Sequence, residues 1–465
     1  MVHHHHPATA MLDTDNTLSS PITAVRREAP ALLCLSILSH PDPAMIGAQF
    51  LAGSGTAPIE LARYHPLFRH PGKDGLPLGH RAISRAPLQL HPTGADGFTI
   101  GLPDSRMKVE LNGVAVLDGA ELGRDEMAAG AILGLGGVVV LCLHWMRCLP
   151  RSNPVDGLIG IGEAAIRTRD QILQVSPTGL TVLLLGETGS GKDVAARAIH
   201  ARSPQAGKPM VTVNLAALSE SLATAELFGA ARGAYTGAHA ARPGLFAQAQ
   251  NSTLFLDEIG SAPASVQPML LRVLETGEYR PLGASVDQHA NARVIAATDQ
   301  DLYGGAFSQA LLRRLESHVI HIAPLRQRRE DLGVLIQHLL AYLGDRIALP
   351  AALIGQLACY DWPGNIRQLK HLLTRCVLSL EAGETIDFDA LVGRRDTTMP
   401  TVAGPARERR ARLGDLTDAT VQAALQAHKG NIQATARALG ISRPSMYKLI
   451  KAQGAGRPAD DDALT

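Results

Sequence analysis

The chain has 465 residues and a net charge of +1, long enough for two to four domains that each bury a core. Near-neutral charge excludes an argument for nucleic-acid binding from bulk electrostatics; any basic surface must be local. Five cysteines (Cys34, Cys142, Cys148, Cys359, Cys376) show neither metal-ligand spacing nor a disulfide framework, and the N-terminus has no signal-peptide pattern. The expectation is a cytoplasmic protein without a membrane partner.

Residues 1–30 carry little pattern and are expected to be disordered; the His3–His6 run is left out of the fold argument. Over 31–150, short β-type runs at 32–38, 87–90, 98–100, 108–111, 132–135 and 138–143 are separated by Gly, Pro and Asp, which predicts a β-sandwich. Residues 127–146 hold no Asp, Glu, Lys or Arg and are long enough to span a membrane. Gly130, Gly134, Gly136 and Gly137 interrupt them, so two strands joined by a glycine turn explain the stretch equally well. The β signals before it favour the strands. Ile83-Ser84-Arg85, then Glu110-Leu111-Asn112-Gly113, then the glycine-rich run 130–136 follow the order of elements in a forkhead-associated (FHA) domain, which this region resembles. The resemblance implies that Ser84, Arg85 and Asn112 bind a phosphothreonine protein, and a guanidinium fork suits a phosphate. Ala86 and Pro87 stand where the family has a His. A sandwich without phosphopeptide binding is the alternative.

A polar, Pro-containing linker at 151–157 leads to a domain expected over 157–325, with a helical lid over 326–393. Here an apolar β-type run, 181–185, empties into Gly186-Glu187-Thr188-Gly189-Ser190-Gly191-Lys192-Asp193, and an Ala-rich helical pattern follows at 194–200. Strand, Gly-x-x-x-x-Gly-Lys and helix in that order predict a phosphate-cradling P-loop. The glycines let backbone N–H groups approach the phosphates, the helix N-terminus adds its dipole, and Lys192 reaches the β- and γ-phosphates. Asp193 stands where a Ser or Thr usually holds Mg²⁺. A strand at 210–214 and a helix at 215–227 are expected next, then a small, Gly-rich loop. The run 252–259 reads as a buried strand ending in two acids: Asp257 would hold Mg²⁺, and Glu258 would polarise the attacking water. Another apolar strand, 292–298, ends at Thr298-Asp299, where polar groups can sense the γ-phosphate. This alternation predicts a parallel sheet with helices on both faces and nucleotide at the strands' C-terminal ends. Arg313 and Arg314 fall on a helical stretch, 332–343 is a further helix, and Trp362-Pro363-Gly364 opens one that presents Arg367.

Residues 394–412 form a linker ending in a basic run that reads as a solvated face. Over 413–455 a helix at 417–428 precedes two helices around a tight turn. Asn431 caps the first, Gly440 ends it, and Ser442 caps the second with Pro444 in its opening turn. Arg443, Ser445, Tyr447, Lys448 and Lys451 stay on the exposed side, where a recognition helix meets the major groove of double-stranded DNA. A helical hairpin used only for self-association is the alternative.

On these motifs, residues 157–393 resemble the AAA+ domain of sigma-54-dependent transcriptional activators (bacterial enhancer-binding proteins). Residues 413–455 resemble the Fis-type helix-turn-helix of the same family. In that family an acid commonly follows the P-loop Lys, as Asp193 does. Gly233-Ala234-Tyr235-Thr236-Gly237-Ala238 matches its GAFTGA loop, which contacts sigma-54, with Tyr235 for Phe. Asn214 falls where the family has an Asn that switches the Walker-B Glu. Thr298 matches sensor I, with Asp299 for the usual Asn, and Arg367 matches sensor II, which contacts the nucleotide. Arg314 matches the second of two trans-acting arginine fingers; Ser308 occupies the place of the first, and Gln309, Ala310 and Arg313 replace neighbouring acids. The resemblance implies ATP and Mg²⁺ as cofactors, and upstream double-stranded DNA and sigma-54 RNA polymerase as partners. It also implies self-association into a ring, a hexamer. The chain thus reads as a β-sandwich sensor, an α/β AAA+ P-loop ATPase with an α-helical lid, and an all-α helix-turn-helix. It would use ATP hydrolysis to remodel sigma-54 RNA polymerase for open-complex formation. A different AAA+ remodeller and a nucleotide-regulated DNA-binding protein with little turnover, favoured by Ser308, are the rival readings.

Overall fold

The computed structural model describes residues 31–52, 58–93, 97–234, 240–343 and 347–393. The N-terminal 1–30, the loop residues Tyr235, Thr236, Gly237 and Ala238, the linker 394–412 and the helix-turn-helix with Arg443, Ser445, Tyr447, Lys448 and Lys451 lie outside the described residues.

Each of the six β-type runs contains a strand. Leu32–Ser39 and Val139–Met146 are central in a six-stranded sheet, and a four-stranded sheet containing Leu88–Thr93 and Gly97–Gly101 faces it. Odd-numbered side chains of the larger sheet, including Leu33, Leu35, Leu133 and Leu141, meet Leu88, Leu90, Phe98 and Ile100 to form the sandwich core. The uncharged stretch resolves into Ala131–Leu135 and Val139–Met146, paired antiparallel. Gly136 and Gly137 turn between them at φ +57° and +68°, a backbone that favours glycine. Among the described residues no helix is long and apolar enough to cross a membrane.

These strands read as continuous apolar runs because the sheet is covered on both faces. Its even-numbered side chains Leu38, Ile132, Val140 and Cys142 pack against the helices Leu332–Tyr342 and Ala351–Cys359. A polar pocket interrupts that outward face: Gln49 donates to Ser36 (2.9 Å), and Ser36 meets His144 Nε2 (2.8 Å). Burial pushes His144 down to about 4, so it stays neutral. The described residues, 31 to 393, fall in one compact unit. Even the linker is bound down, since Asn153 donates to Asp170 and to the Ile166 carbonyl (both 2.9 Å).

The second sheet is wholly parallel, in the order Val211–Asn214, Thr253–Asp257, Arg293–Thr298, Val182–Leu185, His318–His321. Leu183, Leu254, Leu256 and Ala296 face one helical layer; Val182, Leu184, Phe255 and Ile295 face another. The expected helix over 215–227 is instead a 3-10 turn, Leu215–Ala217, followed by the helix Glu220–Phe228. The break lies at Leu218 and Ser219, which are extended; Asn214 starts the short turn, its side chain capping it at Ala216 N–H. The lid comprises Leu332–Tyr342, Ala351–Cys359, Asn365–Glu381 and Phe388–Val392. Trp362 anchors it, fully buried, with its indole N–H on the Leu357 carbonyl (2.9 Å).

Glu330 and Asp331 are buried just before the first lid helix. Burial raises the Asp331 carboxyl, opposed by Arg328 nearby and by the N–H groups of Gly162 (2.8 Å) and Ile161 (2.6 Å) that it accepts. Burial, then the neighbouring Asp331 carboxyl, push Glu330 from 4.5 up to about 8. The folded state therefore binds an extra proton between those values, and stability falls as pH rises through that window. Glu330→Gln, neutral and isosteric, is expected to be more stable than wild type at pH 8 by about 1–3 kcal/mol. In urea titrations the gap should close toward pH 4.5.

Candidate active site

The site is assembled at the C-terminal ends of the parallel strands. Strand Val182–Leu185 leads into Gly186, where a Cβ would lie 2.7 Å from the Ile322 carbonyl oxygen, so only glycine allows the approach. Gly189 and Gly191 take φ of +77° and +110°, wrapping the loop onto the helix Lys192–Ala201. Lys192 is buried and donates to the carbonyls of Gly186 (2.6 Å) and Glu187 (3.3 Å). Ser190 Oγ is buried with no hydrogen-bond partner. A cavity of about 730 Å³ opens here, lined by Thr188–Asp193, Asn214, Asp257, Glu258 and Arg367 together with apolar Leu158, Ile159, Leu335 and Ile366. Polar, cationic and apolar groups lining one cleft fit a nucleotide.

Asp257 ends its strand in register with Asn214 on the neighbouring one. This acid strand is not directly beside the P-loop strand; Arg293–Thr298 lies between them. Glu258 is in the left-handed region at φ +54°, with its N–H on Asp257 Oδ1 (3.1 Å). Burial and then the Asp299 carboxylate raise the Glu258 carboxyl above its ordinary range. Asn214 donates to Asp257 Oδ2 (3.3 Å) while its own oxygen accepts Ala216 N–H (2.9 Å), so in this conformation it steadies the first acid. Thr298 is fully buried, and its hydroxyl oxygen accepts Gln300 N–H (3.1 Å). This strand is tied to the P-loop twice: the Thr298 carbonyl accepts Gly186 N–H (3.3 Å), and Asp299, next along, accepts the Thr188 hydroxyl (2.6 Å).

A lid contribution was not anticipated beyond Arg367. Arg326 grips Glu187 with two bonds (2.8 and 2.5 Å), and Asn365 donates to Glu187 (3.1 Å) and to the Thr188 carbonyl (3.2 Å). Those donors, Arg326 first, pull the Glu187 carboxyl down to about 2. Arg367 N–H reaches the Gly189 carbonyl (3.4 Å), and Arg328 reaches that of Ser190 (3.0 Å). Asn365 sits fully buried at φ +52° and accepts Leu325 N–H (2.8 Å). The sequence signal was present in Trp362-Pro363-Gly364-Asn365, since Asn tolerates a left-handed backbone better than other non-glycine residues.

Arg314 lies outside the cavity, on the helix Gln309–Leu315, and bonds Glu275 (3.0 Å). Ser308 caps that helix, its oxygen accepting Leu311 N–H (3.4 Å). Gly233, at φ +78°, and Ala234 begin the small-residue loop, and Ala234 N–H bonds the Ala231 carbonyl (3.1 Å).

In the sandwich, Ser84 N–H meets Met107 Sδ (3.2 Å), and Arg85 is exposed. Asn112 is not with them. Strand Val109–Leu111 separates it from Met107: Asn112 N–H bonds the Ile132 carbonyl at one end of the neighbouring strand, while the Ala82 carbonyl lies against Gly136 beyond the other end. Its carboxamide oxygen accepts Ile132 N–H (2.9 Å) and its backbone is left-handed at φ +48°, so it serves the turn that joins two strands. Arg63 instead holds the Ser84 loop, donating to the carbonyls of Ile83 (2.9 Å) and Arg81 (2.6 Å).

Three family profiles match the chain: the sigma-54 interaction domain over 158–321, the AAA+ ATPase lid domain over 326–401, and the Fis-family bacterial regulatory protein over 419–452. The chain is similar to the nitric oxide reductase transcription regulator NorR1 of Cupriavidus necator, 37% identical over 391 residues that cover 77% of this chain and 74% of that protein. It is also similar to the anaerobic nitric oxide reductase transcription regulator NorR of Vibrio vulnificus, 33% identical over 436 residues covering 85% and 84%. The chain belongs to the sigma-54-dependent transcriptional activators. Among solved structures, NtrX from Brucella abortus in complex with ATP aligns with a TM-score of 0.46 at 26% identity, covering 65% of this chain and 71% of that one. The activator is an AAA+ ATPase that binds ATP and DNA and remodels sigma-54 RNA polymerase at the expense of ATP.

In this activator Asn365 joins the lid to the P-loop through one buried carboxamide. Asn365→Ala removes its three side-chain hydrogen bonds and leaves Leu325 N–H without its acceptor, for an expected loss of about 2–4 kcal/mol. Urea denaturation followed by circular dichroism measures it.

Proposed function

We propose that the activator hydrolyses ATP in the cavity between the P-loop and the lid, with the roles divided as follows. The P-loop Gly186–Asp193 cradles the phosphates, and Lys192 swings from its own loop carbonyls to the β- and γ-phosphates. Glu258 orients the attacking water, Thr298 and Asp299 respond to the γ-phosphate, and Arg367 contacts the nucleotide from the lid. Asp257, steadied by Asn214, would hold Mg²⁺, which neutralises phosphate charge when bound. The observation that carries this reading is the convergence of Lys192, Asp257, Glu258 and Arg367 on one cavity. Arg314 lies outside that cavity, which supports its acting on a neighbouring subunit's ATP; the working form is then a ring, a hexamer. Loop 233–238 presents Tyr235 and Thr236 to sigma-54, and Arg443, Ser445, Tyr447, Lys448 and Lys451 read upstream DNA. On this reading the sensor occupies 31–150, the ATPase 157–325, its lid 326–393 and the DNA-binding domain 413–455, in a cytoplasmic protein.

Two variants separate hydrolysis from its use. Glu258→Gln is expected to bind ATP like wild type and to lose at least about 10²-fold in turnover. Thr236→Ala should keep turnover and assembly but lose binding to sigma-54 with a transition-state analogue, and with it open-complex formation. Phosphate release, calorimetry and a sigma-54 pull-down measure these outcomes. A Thr236→Ala variant that still activates transcription, or a wild type that binds sigma-54 in no nucleotide state, refutes the loop assignment.

The sandwich is the sensor, and Ser84 with Arg85 takes the phosphate of a phosphothreonine protein. The exposed Arg85 guanidinium beside a buried serine supports this. Asn112 stays a turn residue. Arg85→Ala should abolish the preference for phosphorylated over unphosphorylated peptides in fluorescence anisotropy, with the thermal midpoint unchanged. Equal binding of both peptides by wild type would leave the sandwich without this role.

A further inference from the structure

Successive residues before the first lid helix reach in different directions. Arg326 bonds Glu187 and Arg328 bonds the Ser190 carbonyl (3.0 Å), both in the P-loop. Arg329 turns the other way and donates to the Gly130 carbonyl of the sandwich (3.3 Å). Asp331 ties the same segment to Ile161 and Gly162, ahead of the helix Glu163–Val175. The sandwich is pressed closely onto this assembly. A Cβ on Gly333 would lie 2.5 Å from the Leu38 carbonyl oxygen, and one on Gly47 would lie 2.5 Å from Val334 Cγ1. Gln337 adds a bond to the Pro43 carbonyl (3.2 Å). Leu38, Ile132, Val140 and Cys142 seal the contact with lid residues.

A peptide unit is planar and trans, so a carbonyl and the N–H that follows it point in opposite directions. Holding the Ser190 carbonyl on Arg328 therefore turns the Gly191 N–H away from Arg328. Arg328 has Asp331 beside it, and Asp331 is fixed by two backbone donors. Anything that shifts the sandwich on the lid shifts this segment, because Arg329 and Gly333 touch the sandwich directly.

We propose that Arg328 and Arg329 are positioning residues through which docking of the N-terminal β-sandwich on the lid sets the geometry of the P-loop, and so the affinity for ATP. The relay rests on the P-loop being the ATP site. Its input is the packing of strand Leu32–Ser39 on Gly333, and its output is the Ser190 carbonyl. Neither arginine acts on the phosphates; they hold the backbone that does.

The test uses the full chain and Gly333→Ala. Alanine favours a helix more than glycine does, so the lid helix itself is not weakened. The added methyl is expected to push Leu38 away, speeding hydrogen exchange in Leu32–Ser39 and Val139–Met146. It should also weaken ATP binding by about fivefold or more, the lower end of typical coupling between sites. Arg328→Ala should weaken ATP to a similar degree without faster exchange in the sandwich. Adding Gly333→Ala to Arg328→Ala should then change ATP affinity no further, a non-additivity that two independent structural defects would not give. Unchanged exchange in Gly333→Ala, faster exchange with unchanged ATP affinity, or additive losses in the double variant would each overturn the relay. A wild type that binds no ATP would instead remove the nucleotide reading on which it stands.

Discussion

A P-loop works only if its N–H groups face the phosphates, which requires something to hold its carbonyls the other way. Here the lid does much of this. The carbonyls of Thr188, Gly189 and Ser190 are taken by Asn365, Arg367 and Arg328, and the Glu187 side chain by Arg326. All four partners lie well over a hundred residues further along the chain, so the loop's conformation is not a local property of its glycines. Glycine permits the positive φ at 189 and 191, and the lid selects it. The strain this requires is placed in the lid, where Trp362 and Asn365 are both left-handed, at φ +51° and +52°. Burial of the Trp362 indole and the three side-chain bonds of Asn365 over-determine that turn.

Local motifs were legible because their physics is local. A strand, a glycine turn and a helix announce the P-loop, and an apolar run ending in two acids announces Asp257 and Glu258. Strands at 32–38 and 138–143 were equally visible as apolar runs, but a run says nothing about what covers its second face. That the cover is the lid depends on contacts between residues as far apart in the chain as Leu38 and Gly333 and has no periodic signal. The same limit explains Asn112. An Asn-Gly pair after a β run is compatible with a binding loop or a turn, and it is the pairing of Val109–Leu111 with Val114–Ala115, formed only in the fold, that places it in a hairpin turn. His318–His321 escaped notice because two of its four residues are histidines, although it closes one edge of the parallel sheet.

The departures from the family pattern acquire local reasons. Ser308 stands where the resemblance implies a first arginine finger, and its hydroxyl starts a helix whose Leu311, Leu312 and Leu315 are fully buried. An arginine there would have to give up that cap. Asp299 stands where Asn is usual and accepts the Thr188 hydroxyl, a bond a carboxylate makes with either oxygen. The same carboxylate raises the Glu258 carboxyl, so two acids and a P-loop hydroxyl share the space between adjoining strand ends.

One lid therefore touches both the nucleotide cavity and the N-terminal sandwich, and thermodynamics makes such an arrangement reciprocal. If a docked sandwich tightens ATP by some factor, bound ATP tightens docking by the same factor. The contact is well suited to discrete rather than graded change. Gly333 lies against backbone atoms of Leu38, which leaves no room for gradual sliding, and Asp331 keeps its two amide donors only in one position of the segment. A ligand on the far side of the sandwich could shift this equilibrium only by binding one of the docked and undocked states more tightly than the other. The four-stranded sheet packs on the larger sheet through the sandwich core, and the segment leading to the Ser84 loop also bonds the 40–47 loop, His70 to the Ala44 carbonyl (2.9 Å) and His40 to the Leu78 carbonyl (2.8 Å). A signal received there has two routes to the lid: the larger sheet, where Leu35 and Ile37 face the core and Leu38 faces the lid on the same strand, and the loop whose Pro43 and Gly47 touch Gln337 and Val334.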